Sequence, residues 1–111
     1  MRLVRLAFNT HEILTTEGRL AEVEFNVGRY AGLHPLKIEF AEISRQPGYS
    51  TLHVWVKCST LEPNDVVGRL SVHIQAISEN ENAPDLGGTP LCAHGAWLFY
   101  GLIGRPGMRL E

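Results

Sequence analysis

Histidine is the residue type with the widest chemical use in this sequence, which contains five, His11, His34, His53, His73 and His94. His53 and His73 lie on the polar sides of two consecutive alternating runs, so pairing of the runs can bring their Cβ atoms to about 5 Å. Two such imidazoles can bind a transition metal, with His94 or a loop carboxylate as third ligand. No HExxH or CxxC spacing supports this site, and histidines that face solvent or a partner are the competing interpretation. We expect no cofactor unless His53, His73 and His94 converge on a metal.

A thiol and an imidazole lie two residues apart at Cys92 and His94, beside Gly87 and Gly88. In a strand these two side chains point the same way, and amides of a glycine-rich turn can stabilise an oxyanion, as a cysteine nucleophile requires. Catalytic Cys and His are, however, normally brought together by the fold and not by adjacency. We therefore predict no catalytic residue here and interpret Cys92 as a buried cysteine at the edge of an apolar strand.

The histidines must be positioned by the stretch 50–77, which contains two runs of period-2 alternation around the turn-forming segment 62–65. Such runs are typical of half-buried antiparallel strands, and we expect the two to pair. The apolar side comprises Leu52, Val54, Val56 and Cys58 in the first run, and Leu70, Val72, Ile74 and Ala76 in the second.

The polar side of this pair is the predicted contact surface for a partner. It comprises His53, Trp55 and Lys57, answered by Arg69 and His73. Trp and Arg dominate binding energy at interfaces. Arg105, in the glycine-flanked segment 104–107, is a further group that can contact an anion. The predicted partner is a protein or a small anionic ligand.

The first half of the chain predicts further short strands. Residues 2–8 form one, and 11–25 predict a hairpin turning at Glu17-Gly18, with a short helix over 10–17 as the alternative. In 36–44 the apolar side comprises Leu36, Ile38 and Phe40, and the alternation changes near Ala41, which indicates a β-bulge or a strand that crosses between sheets. Pro47-Gly48 predicts a turn that pairs 36–44 with 50–58.

The second half ends in an acidic loop, an apolar strand and an arm. Residues 78–90 are rich in acidic residues, Gly and Pro, and predict a long loop. Residues 91–104 are almost continuously apolar and predict a buried strand or an oligomer contact. Their aromatic residues Trp97, Phe99 and Tyr100 are the predicted homo-oligomer interface. Residues 105–111 are interpreted as a C-terminal arm.

Composition and length limit the fold and the partners. A chain of 111 residues has room for one domain, and the strand pattern predicts an all-β antiparallel sandwich or small barrel of about six to eight strands. The net charge of −2 predicts neither a long nucleic acid nor a membrane as partner. The sequence has two cysteines without a disulfide framework, and it has no apolar stretch long enough to cross a membrane. These features favour a reduced cytoplasmic setting.

These features favour a non-enzymatic binding or assembly module, expected to be a homo-oligomer. The small size and absence of a catalytic motif would also suit a compact phage or mobile-element protein. The alternative is a small metal-dependent enzyme or metal-binding barrel that uses the histidines.

Overall fold

The computed structural model describes residues 1–65, 67–80 and 89–107. Within these residues the strands are β1 (Arg2–Asn9), β2 (Leu20–Glu24), β3 (Leu33–Gln46), β4 (Tyr49–Thr60), β5 (Ser71–Ser78), β6 (Cys92–His94) and β7 (Trp97–Gly104). The same residues form one helix, α1 (Thr10–Thr15), and 3-10 turns at Glu17–Arg19 and Gly28–Tyr30. The strands form two antiparallel sheets, ordered β1-β4-β3 (the first sheet) and β2-β5-β7-β6 (the second sheet). The predicted all-β sandwich of six to eight strands is confirmed.

The core lies between the two sheets and is built from the predicted apolar sides. In β4, Leu52, Val54, Val56 and Cys58 are completely buried, and in β5 so are Val72, Ile74 and Ala76. Leu6 of β1 and Phe99 of β7 join the same cluster. Period-2 alternation therefore identified correctly which side of each run faces inward.

The predicted pairing of the two runs is wrong, because β4 and β5 belong to different sheets. A strand with one fully apolar side must bury that side, and two such strands can do so by facing each other across a sandwich as well as by lying side by side. Residues 61–70 make the crossing. The amide of Leu61 donates to Gly32, next to the first sheet, whereas Leu70 accepts from Phe25, next to the second. The predicted turn at 62–65 exists, with the Asp65 amide donating to Glu62 at 2.9 Å.

The hairpin of β3 and β4 is confirmed, with Gln46 opposite Tyr49 and a two-residue turn between them. Gly48 has φ +86°, a value at which a side chain is strained. The register shifts twice, between Pro35 and Lys37 and between Ile38 and Phe40. The predicted irregularity is therefore confirmed, but it lies before Ala41.

These shifts change which β3 residues face the core. Ile38 packs against the core as expected, but the second shift turns Phe40 to the outer side, where it is 50% exposed. Leu36 is also exposed. The prediction that Leu36 and Phe40 share the inner side with Ile38 is wrong, because each bulge adds a residue and reverses the alternation that follows.

The segment after β1 forms the helix that was the alternative, and not the predicted hairpin. Asn9 caps α1, because its side-chain oxygen accepts from the amides of His11 and Glu12 at 2.9 and 3.3 Å. Ile13 of this helix is 2% exposed and fills one end of the core. A helix of six residues is stabilised by such a cap and by packing, neither of which a propensity pattern contains.

The apolar run 91–104 is confirmed as strand, divided by a turn at Gly95 into β6 and β7. Of the predicted acidic loop, residues 81–88 lie outside the described part of the chain, as do residues 108–111 of the predicted arm. Over the described residues, no helix has the length and apolarity needed to cross a membrane.

Candidate functional site

The structure divides the six predicted partner-binding residues into two groups of three. His53, Trp55 and Lys57 lie on β4, on the outer face of the first sheet. The other three, Arg69, His73 and Arg105, lie on or beside the second sheet. The predicted continuous surface therefore does not form, because it required β4 and β5 to be neighbours.

His73 is buried and holds structure together. Its side chain is 4% exposed, its Nε2 lies 2.8 Å from the carbonyl oxygen of Arg105, and its Nδ1 lies 3.3 Å from the Glu22 carboxylate. The same carboxylate accepts from the Ser71 hydroxyl and from the amide of Gly107. This network ties the start of the C-terminal arm to β2 and β5. These contacts enclose the ring of His73, so this predicted partner-binding residue lies inside the chain.

Arg69 is exposed and forms an ion pair with Glu24 at 3.1 Å. An exposed pair of this kind contributes little to stability, about 0–1 kcal/mol. Arg105 contributes its backbone carbonyl to His73, and the residue is exposed. Neither residue lies on the same face as Trp55.

The three predicted metal ligands do not converge. His53 lies on β4, opposite Ala7 and Glu42, whereas His73 lies on β5. His94 lies on β6, with its Nε2 3.4 Å from the Ser50 hydroxyl. The described residues contain no group of three or more His, Cys, Asp or Glu side chains that could hold a metal ion.

The cysteines lack the environment of a nucleophile. Burial raises the pKa of the Cys92 thiol, and for Cys58 burial raises the pKa more than the nearby Arg2 charge lowers it. Desolvation disfavours the thiolate, which is the reactive form. Cys92 is half-buried, and its raised pKa disfavours the thiolate that an activated pair with His94 would require.

Two of the three residues of the predicted oligomer interface are buried within the chain. Phe99 is 0% exposed because it faces the core, and Tyr100 is 4% exposed because it packs with Ile77 on the other side of its own sheet. Trp97 is half-buried, with the Arg19 guanidinium 4.8 Å from its ring centroid. A single chain thus covers these aromatic residues without a second copy.

The strongest candidate site is the outer face of the first sheet, which we call the Trp55 face. It comprises Leu3 and Arg5 of β1, Phe40 and Glu42 of β3, and His53, Trp55 and Lys57 of β4. Trp55 is at its centre, because Arg5 lies opposite it on one neighbouring strand and Phe40 on the other. The alternation that buries Val54 and Val56 turns Trp55 outward.

The aromatic rings of this face are stacked. The Phe40 and Trp55 centroids are 4.5 Å apart with 15° between the ring planes, and His53 lies 5.9 Å from Trp55 at 48°. Stacking holds each ring in one orientation, so a partner that binds the rings immobilises little additional side-chain freedom. The pair is therefore a preformed apolar contact.

Large apolar side chains on this face remain accessible. Leu3 is 53% and Phe40 50% exposed, and beside them a cleft of about 360 Å³ is lined by Met1, Arg2, Leu3, Glu39, Phe40 and Lys57. Lys37 faces outward opposite Lys57. On this face and along the cleft, four described residues carry a positive charge, Arg2, Arg5, Lys37 and Lys57, and two carry a negative charge, Glu39 and Glu42.

Sequence reasoning missed Leu3, Arg5 and Phe40 as members of this face. Phe40 was assigned to the core because the bulge before it was not located. Leu3 and Arg5 were missed because nothing in the alternation of β1 indicated β4 as its neighbour. The one available signal was the change of alternation near Ala41, which implied that an apolar residue of β3 must face outward.

The comparisons with known proteins gave no match: no family profile, no curated protein and no solved structure resembles this chain at a significant level.

Proposed function

We propose that this protein is a non-enzymatic binding module that contacts a protein partner through the Trp55 face. The observation that carries the proposal is the stacked pair of Phe40 and Trp55, placed on an outer sheet face with Phe40 half exposed. On a small protein, a contiguous patch of exposed apolar groups is more often an interaction site than the rest of the surface is.

The chemistry of the face specifies the partner. Apolar contact with Leu3, Phe40 and Trp55 requires an aromatic or aliphatic side chain on the partner. The surplus of cations around them favours carboxylates beside that side chain. We therefore propose a partner segment in which one or two large apolar residues are flanked by Asp or Glu. Tryptophan at the centre of a contact and Arg beside it are the residue types that most often carry binding energy.

The alternative of a metal-dependent enzyme has less support. The three histidines on which it rested lie on three different strands, and none of the groups on the Trp55 face forms a nucleophile–base pair. A protein that binds through a rigid apolar pair needs neither a metal site nor a nucleophile–base pair.

Peptide selection tests the proposal directly, because the protein selects its own ligands from a random mixture. A random peptide display library is selected on the immobilised protein, after depletion on the Phe40→Ala variant. We expect the enriched peptides to combine aromatic or aliphatic residues with Asp or Glu. Their dissociation constants, measured by calorimetry, should rise at least about tenfold with Trp55→Ala. Arg5→Glu, an exposed change that leaves the core intact, should weaken acidic peptides to a comparable extent.

The matched control is Tyr49→Ala, which removes an aromatic side chain of 55% exposure outside the Trp55 face. This variant should bind the selected peptides within about twofold of the original protein. Peptides that bind the Trp55→Ala and Arg5→Glu variants as tightly as the original would refute the proposal. A dimer in light scattering that Arg5→Glu dissociates would assign the face to a second copy of the chain, and so would also overturn a separate protein partner.

A further inference from the structure

A second candidate site lies away from the Trp55 face, where three segments distant in sequence meet. A cavity of about 460 Å³ is bounded by the start of α1, the β3–β4 hairpin end and the β6–β7 turn. Its lining includes Thr10, His11, Arg45, Tyr49, Ser50 and His94. The volume is within the range typical of small-molecule sites.

The described lining of this cavity combines hydrogen-bond donors with an absence of carboxylates. The protein carries 12 acidic residues and a net charge of −2, yet none of the described residues that line the cavity is Asp or Glu. Instead the lining supplies hydroxyl, imidazole, amide and guanidinium groups, all of which can donate hydrogen bonds. Arg45 is an exposed residue at the rim of the cavity, and no described residue forms an ion pair with it.

The floor of the cavity is a chain of hydrogen bonds from His94 through Ser50 to Thr10. Nε2 of His94 lies 3.4 Å from the Ser50 hydroxyl, and that hydroxyl contacts the hydroxyl of Thr10, which is 4% exposed. Nδ1 of His94 is buried and has no hydrogen-bond partner among the described residues. Nδ1 therefore lacks a partner in the described part of the chain whichever ring nitrogen carries the proton.

The Thr10 hydroxyl can donate to the Ser50 hydroxyl or, at 3.3 Å, to the backbone carbonyl of Ser50. When it donates to the Ser50 hydroxyl, the Ser50 proton is available to an oxygen atom in the cavity. A ring proton on Nε2 of His94 offers a second donor, 3.4 Å from the Ser50 oxygen.

We infer that this cavity, the His94 pocket, binds the oxyanion group of a small molecule, a phosphate ester or a carboxylate. The Arg45 guanidinium and the His11 imidazole would contact the anion from the rim, and the donors of His94 and Ser50 from the floor. The 3.4 Å separation between His94 and Ser50 is long for a hydrogen bond, so both groups retain capacity for an anion oxygen. The Tyr49 ring offers an apolar surface to the rest of the ligand.

The test is a titration of the full chain with phenyl phosphate and, separately, with benzoate, followed by two-dimensional ¹H–¹⁵N NMR at constant ionic strength. Both probes carry the same ring and differ in the anion. We expect saturable shifts of the Thr10, Ser50 and Gly95 amides with at least one probe. The probe that binds more tightly assigns the anion as phosphate or carboxylate.

Arg45→Gln should raise the dissociation constant about tenfold, because it removes the charge that contacts the anion. The matched control is Arg69→Gln, which removes an exposed Arg beside the second sheet. This control should bind within about twofold of the original protein. The inference fails if neither probe saturates below roughly 20 mM, a dissociation constant weaker than specific small-ligand sites show, or if the Arg45 and Arg69 variants behave alike. The peptide experiment on the Trp55 face is independent of this result.

Discussion

Gly101, in the middle of β7, is the residue whose smallness the packing most clearly requires. A Cβ at this position would lie 2.8 Å from Leu91 Cδ1 and 3.0 Å from the Cδ1 atoms of both Ile38 and Ile74. These three atoms are the ends of side chains from the first sheet, the second sheet and the segment before β6, so an added Cβ must displace all three together. The glycine allows the two sheets to pack closely at this point.

We predict that Gly101→Ala lowers the free energy of unfolding by about 1–3 kcal/mol through overpacking. The measurement is urea denaturation followed by fluorescence. Gly68→Ala is the matched control, because a Cβ at Gly68 meets nothing within 4 Å and its φ is not positive. Equal unfolding midpoints for the two variants would contradict the packing described here.

The two cysteines give a chemical test at the same scale. Because burial raises the pKa of both thiols, less thiolate is present at a given pH than in a free cysteine, and the rise of reaction rate with pH moves to higher pH. We predict that at neutral pH iodoacetamide modifies Cys92 more slowly than free cysteine and leaves Cys58 unmodified, as measured by mass spectrometry. In denaturing urea both should react as simple thiols. If Cys92 of the native protein reacts faster than free cysteine, the hypothesis that it is a nucleophile would again be supported.

Individual residues were predictable from sequence only where the alternation was undisturbed. The inner residues of β4 and β5 were all identified, because eight or more alternating residues determine which side faces the core. Phe40 was assigned to the wrong side, because a bulge displaces a residue without a fixed sequence signature. Because of this error, Phe40 was not recognised as the stacking partner of Trp55 on the Trp55 face.

At the scale of elements, α1 shows how a short local signal changes the connection between strands. Helix α1 contains two threonines, which weaken a helix, yet Asn9 supplies a side-chain acceptor to the first helical amides and Ile13 supplies a buried anchor. The helix leads the chain from the first sheet to the second, where a hairpin would have kept β1 and β2 in the same sheet. It also brings Thr10 and His11 to the His94 pocket.

We predict that Asn9→Ala lowers the free energy of unfolding by about 1 kcal/mol, since it removes the cap but leaves the backbone pairing of Asn9 with Thr51 intact. Asn64→Ala is the control, because Asn64 is an exposed residue of the turn at 62–65. Thermal denaturation followed by circular dichroism compares the two. A cap that contributes nothing would give both variants the same midpoint.

Strand pairing was the element-scale feature that the sequence left open. Alternation specifies the side that a strand buries, but it does not specify the neighbouring strand, since two half-apolar strands bury equal area beside or opposite each other. The β3–β4 hairpin was predictable because Pro47-Gly48 fixes a tight turn. The 61–70 connection contains a turn as well, but its length allows the chain to cross between sheets.

At the scale of the whole molecule, the two outer sheet faces differ. On the second sheet the outward residues His73, Ile77 and Tyr100 are buried within the chain. On the first sheet Leu3 and Phe40 are half exposed beside Trp55. Each sheet carries one of the two tryptophans. Trp55 lies on the open face of the first sheet, and Trp97 lies on the second sheet against Arg19.

This division provides an internal control for the central claim, that the Trp55 face is the contact surface for a protein partner. The chain contains two tryptophans, so a ¹H–¹⁵N NMR spectrum shows two indole N–H signals, which Trp55→Phe and Trp97→Phe assign. Titration with a peptide from the selection described above should shift the Trp55 signal saturably and leave the Trp97 signal in place. A peptide that shifts the Trp97 signal and leaves the Trp55 signal unmoved would contradict the account.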